Sequence, residues 1–285
     1  MRPDLQLQDV HFAIGMTVLL AAVLVLYGAR LLARGRARHS RTDADGGSVF
    51  LHKGAMEMGY WMLEPVVRAL AALQITPNQV TLFALVPALL GAVAAGFGWF
   101  ALSSLLFTLA SLCDLVDGVL ARRTGVASDA GEVVDAAVDR YLEFLFLAGV
   151  AVYYRTHWIV LVLVFAALLG SYMVSYTTAK AEAMAVPPPR GSMRRAERAV
   201  YLLVGAGLTA YTRVAFESFP SHALRELPIL VALSLVAVVT NVSAVQRFAA
   251  IAAALRDRRG PAAAPPPAPR DGDLVSRQSP PASSL

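Results

Sequence analysis

Cysteine is almost absent. Cys113 is the single one in 285 residues, so no intrachain disulfide can form, and it reads as a small packing residue on a helix. Charge is scarce too: Asp, Glu, Lys and Arg make up 16% of the chain, where a soluble domain carries about 25%. Strand-like alternation of apolar and polar residues is missing, which argues against a transmembrane β-barrel. No internal repeat is present. The net charge is +5. The arginines behind it stand in loops beside apolar runs, a placement that points to membrane topology and anionic headgroups rather than to nucleic acid.

What fills the chain is long apolar runs. It is 57% hydrophobic, with a mean hydropathy of +0.57, and several stretches approach the roughly 20 residues that span a bilayer core. The expected fold class is an all-α polytopic membrane protein. Residues from about Phe12 to Leu32 form a first span, followed at once by Arg34, Arg36, Arg38 and Arg41. A cleavable signal peptide carries its positive charge before the apolar core. The order here predicts a retained anchor helix with its N-terminus outside and its basic flank in the cytoplasm.

His39 to Ser48 reads as a linker. From about Gly54 to Leu73, Met58, Trp61, Met62, Val66, Leu70 and Leu73 recur at helical spacing, predicting an amphipathic helix lying at the interface. Thr76-Pro77-Asn78 ends it and opens a span that runs to Gly96. Further spans are expected at about Trp99–Arg123, Glu132–Tyr154, Trp158–Glu182, Ala199–Val214 and Pro228–Leu255, then a disordered Pro/Ala-rich cytoplasmic tail. With the anchor entering from outside, Arg2, Arg155, Arg213 and Arg225 fall outside and the other basic residues inside, as the positive-inside rule requires.

Within this apolar chain, Asp114, Asp117, Asp135 and Asp139 form two pairs flanking a polar loop, Thr124–Gly131. Ionisable groups inside a membrane protein are costly and mark function. Spacings of three and four put each pair on one helix face, and two antiparallel helices would converge all four carboxylates. Their repulsion calls for a hard divalent cation with oxygen ligands shared with phosphate. Four carboxylates suit two such ions clamping a phosphoryl group. Gly118 and Ala121 leave room against the backbone of the same helix, Arg122 can fork onto phosphate oxygens, and Gly131 is expected to permit a tight turn.

The run Asp114-x2-Asp117-Gly118-x2-Ala121-Arg122-x8-Gly131-x3-Asp135-x3-Asp139 matches every fixed position of the CDP-alcohol phosphotransferase signature, and the resemblance extends over about residues 54–255. The resemblance implies an interfacial helix followed by a bundle of six transmembrane helices. On that basis the chain divides into an anchor and basic linker (1–53), the phosphotransferase domain (54–255) and the tail (256–285).

The resemblance further implies transfer of a substituted phosphate from a CDP-alcohol, commonly CDP-diacylglycerol, to an acceptor hydroxyl with release of CMP. It assigns the four aspartates to Mg²⁺ or Mn²⁺, two ions in number, and Asp139 also to the general base. It places Asn78, Gln79, Val80, Thr81, Gly118, Ala121, Arg122, Ser128 and Gly131 around the CDP-alcohol. The segments Ser175–Glu182, Arg194–Arg198 and Val245-Gln246-Arg247 resemble phosphatidylinositol-phosphate synthases. That likeness implies an acceptor phosphate at Lys180, Arg195 and Arg198, hence a phosphorylated polyol, inositol phosphate foremost. The chain departs from the subgroup at Thr178, where a basic residue is usual, and at Arg194, where an acidic one is usual.

Glycerol 3-phosphate as acceptor and a non-lipid CDP-alcohol as donor are the alternatives within the class. A cation transporter and a non-catalytic lipid-binding membrane protein are the alternatives outside it. The implied setting is the cytoplasmic face of the cell membrane, among membrane lipids, and family members often form homodimers.

Overall fold

In a computed structural model, residues 3–34, 53–187 and 193–258 are described, and among them every regular element is a helix. The linker at His39–Ser48 and the tail beyond Arg258 lie outside the described residues. In chain order the helices are α1 (Pro3–Arg34), α2 (Lys53–Ala72), α3 (Pro77–Phe83), α4 (Leu85–Gly96), α5 (Phe100–Thr124), α6 (Asp129–Tyr153), α7 (Trp158–Ala183), α8 (Arg195–Ala215), the short α9 (His222–Arg225) and α10 (Leu227–Arg258).

Among the described residues, five segments are long and apolar enough to cross a membrane: Leu7–Ala33, Pro77–Gly96, Phe100–Thr124, Trp158–Ala183 and Leu227–Arg256. The sequence pattern places two further spans on α6 and α8. Both are present as long helices, α6 packed along α4 and α8 along α5 and α10. They fall short in hydropathy because each gives part of its surface to charge, Asp135, Asp139 and Glu143 on α6 and Arg195, Arg198 and Arg213 on α8.

One apolar core runs through the bundle, from Ala88 and Phe107 through Leu147 and Val164 to Leu233 and Val236. Lipid tails are as apolar as these side chains, so close packing rather than water exclusion holds the helices together. Two glycines show how close they come. A Cβ on Gly149 would sit 2.4 Å from the Ala92 carbonyl oxygen, and one on Gly170 would sit 2.0 Å from Thr240 Oγ1. Asn241 Nδ2 donates across the second seam to the Ala166 carbonyl at 2.8 Å.

The amphipathic helix is present as α2, with a wider apolar arc than its periodicity suggests. Leu63 and Val67 are buried against Val80, Val116 and Leu120, whereas Val66 and Leu73 are exposed. Glu64 pins α2 to the end of α5, accepting from Arg123 at 2.7 Å and from Arg68 at 2.9 Å. The Arg123 bond foremost, then Arg68, holds its carboxyl below the usual glutamate range. A depressed folded-state pKa adds stability above the unfolded value and loses it as pH falls through the folded one. Docking of α2 is therefore expected to loosen as the pH falls below the usual glutamate range. Trp61 emission against pH checks this, and the acid transition should be lost in Arg123→Gln.

α1 begins at Pro3, well before the apolar run starts. Asp9 is only 2% exposed. Its carboxylate accepts from Ala101 N at 3.0 and 3.2 Å and from Leu102 N at 3.1 Å. These are donors at the start of α5 that no turn of the helix itself can satisfy, and Trp99 before them makes no side-chain cap. Asp9→Ala is expected to cost about 0.5–2 kcal/mol, the value of a lost cap, read as a lower unfolding temperature in detergent. Asp9→Asn keeps an acceptor and should recover most of it.

Candidate active site

The site is built on the α5–α6 hairpin. α5 ends at Gly125, whose φ of +71° suits glycine, and Val126 N donates back to the Ala121 carbonyl at 3.1 Å. Ser128 then caps α6, its Oγ accepting from Gly131 N at 3.2 Å. The hinge is thus residues 125–128, shorter than the Thr124–Gly131 loop expected from composition. Gly131 lies inside the first turn of α6 with Asp129 and Glu132, so the tight turn falls to Gly125 instead.

On this hairpin the carboxylates of Asp114, Asp135 and Asp139 come together, with one oxygen of each within 4.8 Å of the others. Asp117 stands beside them, 5% exposed, accepting from Thr81 Oγ1 at 2.5 Å. Asp135 Oδ1 is buried with no hydrogen-bond partner among the described residues. Arg195, in the first turn of α8, closes the group: its Nη1 lies 3.1 Å from Asp114 Oδ2 and its Nη2 contacts Asp139 Oδ1. The donor set is all oxygen, strongly anionic and partly unsatisfied. It fits a hard divalent cation, which carboxylates hold without nitrogen or sulfur help.

A cavity of about 780 Å³ adjoins the aspartates. One wall is the start of α3, where Thr76 and Gln79 form a capping box with Pro77 in the first turn. The opposite wall is the hairpin, with Asp117, Gly118, Ala121, Arg122, Ser128, Gly131 and Asp135 on the lining. Gly118 gives its space to Arg122: a Cβ there would lie 3.4 Å from the Arg122 guanidinium.

Of the four residues expected from the α3 segment, Asn78 and Thr81 line the cavity. Gln79 is committed to the cap, accepting from Thr76 N at 2.9 Å, and Val80 packs against Val116 and Leu120.

The residues expected around an acceptor phosphate separate in space. Arg195 sits among the aspartates. Arg198 is 1% exposed, bonded to Glu143 at 2.8 and 3.1 Å and to the Met193 carbonyl at 3.3 Å. Lys180 is exposed at the end of α7. Arg247 on α10, seen in the sequence only as part of a likeness, reaches α7 and donates to Thr178 Oγ1 at 3.0 Å. It is 7% exposed and its Nε has no hydrogen-bond partner among the described residues. Glu143 and the Thr81–Asp117 bond have no sequence signal, because each joins residues from separate helices.

An α-helical membrane hairpin that joins an acidic, cation-suited cluster to a cavity lined by Arg122 and helix N-termini defines an enzyme acting on a phosphorylated substrate at the bilayer. The chain belongs to the CDP-alcohol phosphatidyltransferase family, whose family model covers residues 74–255; it is an integral membrane transferase.

Its relatives include a phosphatidylinositol phosphate synthase of Cutibacterium acnes, 31% identical over 196 residues, or 67% of this chain and 92% of the relative. Another from Streptomyces avermitilis is 30% identical over 230 residues, 79% and 90% of the two chains. The Mycobacterium tuberculosis phosphatidylinositol phosphate synthase PgsA1 with CDP-DAG bound is structurally similar. Its TM-score is 0.57 at 26% identity, covering 66% of this chain and 92% of that one. A second PgsA1 structure, in complex with manganese and citrate, gives a TM-score of 0.58 at 26% identity, covering 66% and 87%.

Proposed function

We propose that the protein transfers the phosphatidyl group of CDP-diacylglycerol to a hydroxyl of inositol phosphate and releases CMP. The single observation that carries this is the 780 Å³ cavity running from the α3 N-terminus and Arg122 to the carboxylates, a size and polarity suited to a cytidine diphosphate. The printed names of the relatives support the donor and the acceptor.

In this reading Asn78, Thr81, Gly118, Arg122 and Ser128 hold the CDP part. The acceptor oxygen forms a bond to the phosphorus that carries diacylglycerol, the diphosphate P–O bond breaks, and CMP leaves. Asp139 takes the acceptor's proton. Asp114, Asp117, Asp135 and Asp139 would hold two Mg²⁺ or Mn²⁺ ions, which neutralise the diphosphate and stabilise the departing phosphate. Arg195 balances the carboxylates from the α8 side. Arg247 beside Thr178 supplies buried positive charge for the acceptor phosphate, on the wall where the subgroup's usual basic residue is replaced. The basic residues at this end of the bundle support a cytoplasmic-facing site in the cell membrane.

The test is CMP release by purified protein with CDP-diacylglycerol and Mg²⁺ against inositol phosphate, glycerol 3-phosphate, inositol and serine. Inositol phosphate should give the highest rate, and Arg247→Ala should raise its KM more than it lowers kcat. Absence of CMP with every acceptor would refute the transferase reading. A preference for glycerol 3-phosphate would keep the donor and replace the acceptor.

A further inference from the structure

The likeness to phosphatidylinositol-phosphate synthases puts Arg195 on the acceptor's phosphate, whereas the structure puts it on the carboxylates. Its Nη1 lies 3.3 Å from Asp114 Oδ1 and 3.1 Å from Asp114 Oδ2, and its Nη2 contacts Asp139 Oδ1. Asp114 and Asp139 are two of the three residues whose oxygens gather within 4.8 Å. The guanidinium therefore grips oxygens that suit a divalent cation.

Other residues fix the helix beneath it. One turn further along α8, Arg198 forks onto Glu143 at 2.8 and 3.1 Å. Glu143 itself stands one turn beyond Asp139 on the same face of α6. The two arginines thus form successive charged rungs between α6 and α8. At the start of α8, Glu197 Oε2 accepts from Arg194 N at 3.0 Å and closes the first turn.

The rungs differ in burial. The Arg198 side chain is 1% exposed and that of Arg195 is 34% exposed. Among the described residues, the hydrogen bonds and ion pairs of Arg195 all end on the two aspartates. A long side chain held only at its tip can turn outward while Arg198 keeps the helix in place.

Charge sets the competition. Carboxylates this close repel one another and need compensation. Arg195 supplies one positive charge among them. Divalent ions at the same oxygens would supply more, and would leave the guanidinium held against like charge.

We propose that Arg195 is a built-in counter-ion that the divalent cation displaces, so that metal loading releases a guanidinium beside the site. This rests on the cluster's holding a divalent cation, as in the reading above. The two placements of Arg195 are then two states of one side chain. It lies on Asp114 and Asp139 before the ion binds, and is free for an anionic group of the acceptor afterwards. The ion accordingly binds before the acceptor.

The experiment titrates Mn²⁺ into the substrate-free full chain in detergent, read by the paramagnetic resonance of the free ion. A guanidinium engaged about nine-tenths of the time lowers apparent affinity about tenfold. Arg195→Gln should therefore bind Mn²⁺ about tenfold more tightly than the wild type. Arg140→Gln is the control. Arg140 lies 3.9 Å from Asp139 Oδ2 but donates to the Ala136 carbonyl of its own helix. Its removal takes away the same charge without freeing the oxygens that Arg195 holds. Equal tightening in both variants, or none in Arg195→Gln, overturns the exchange. So does an absence of Mn²⁺ binding in wild type and variant alike.

A second readout needs no substitution. Phenylglyoxal modifies unpaired guanidinium groups, and Mg²⁺ should raise its labelling of Arg195, located by peptide mass spectrometry. Labelling that Mg²⁺ leaves unchanged or lowers refutes the proposal. Neither measurement needs turnover, so the exchange can fail while CMP release succeeds, and a chain that releases no CMP can still show it.

Discussion

Asp139→Asn is expected to lower CMP release by about 10²–10⁴-fold, the range that a positioned general base contributes. The asparagine is nearly isosteric, so the packing around a side chain that is 8% exposed survives. What disappears is the capacity to accept a proton, together with one anionic oxygen in the group shared with Asp114 and Asp135. CDP-diacylglycerol binding, measured by calorimetry, should persist, because the cavity lining around Asn78, Thr81 and Arg122 does not include Asp139. Full turnover in this variant would move the base elsewhere, and Glu143 on the neighbouring turn of α6 is then the next residue to replace. Asp117→Asn separates the two roles: it keeps the base but disturbs the carboxylate that Thr81 orients, so its loss should be partly relieved by raising the concentration of Mn²⁺.

A larger effect on stability is expected at the other end of the bundle. Arg213 is 4% exposed. Its Nη2 donates to Glu226 Oε1 at 2.9 Å and its Nη1 donates to the Gly98 carbonyl, while its guanidinium lies 4.6 Å from the Phe100 ring centroid and 5.2 Å from that of Tyr153. Tyr153 in turn donates to the same Glu226 oxygen at 2.6 Å. Arg213→Ala leaves Glu226 buried and short of its counter-charge, which costs about 3–5 kcal/mol.

Thermal unfolding in detergent measures this, with Glu226→Ala beside it. The double variant should lose less than the sum of the two single losses, because the second removal also takes away the stranded charge. Arg213→Lys should recover little, since one ammonium cannot serve Glu226, the Gly98 carbonyl and two rings at once. An unchanged unfolding temperature in Arg213→Ala would mean that the network is dispensable.

Both regions were legible in the sequence to different depths. The aspartates could be paired by inspection because helix periodicity is local: spacings of three and four fix a face whatever surrounds it. Their convergence also followed from sequence, since the loop between them is short and the helices had to run antiparallel. Arg213 could not be read in this way. Its loop-side position beside an apolar run matches an outer flanking charge, and its partners, Gly98 and Glu226, come from two other connections. Asp9 is a similar case, because a carboxylate at the start of an apolar helix carries no sign of a cap that lies 92 residues away.

Helix starts were missed where a side chain supplies the signal. Ser128 begins α6 three residues earlier than hydropathy suggests. Glu197 likewise begins α8 at Arg195 rather than near Ala199, its Oε2 accepting from Arg194 N at 3.0 Å. Within the α3 segment, Gln79 and Val80 sit between two cavity residues in sequence, yet the helix turns both away. Spacing to a cap and burial on the opposite face decide this, and composition shows neither.

The four residues between α5 and α6 carry a consequence of their own. Because the two aspartate pairs belong to one hairpin, the entropy of assembling the anionic cluster is that of closing a very short loop. Loop-closure entropy grows only logarithmically, by about 0.6 kcal/mol for each doubling of length. Lengthening residues 125–128 with flexible sequence would therefore weaken the cluster's cation affinity by only about threefold. The same insertion would carry Val126, Ala127 and Ser128 out of the cavity wall they now form. Length is thus a tolerant parameter for the cation and an intolerant one for the nucleotide, so graded insertions between Gly125 and Ser128 would separate the two binding events within one enzyme.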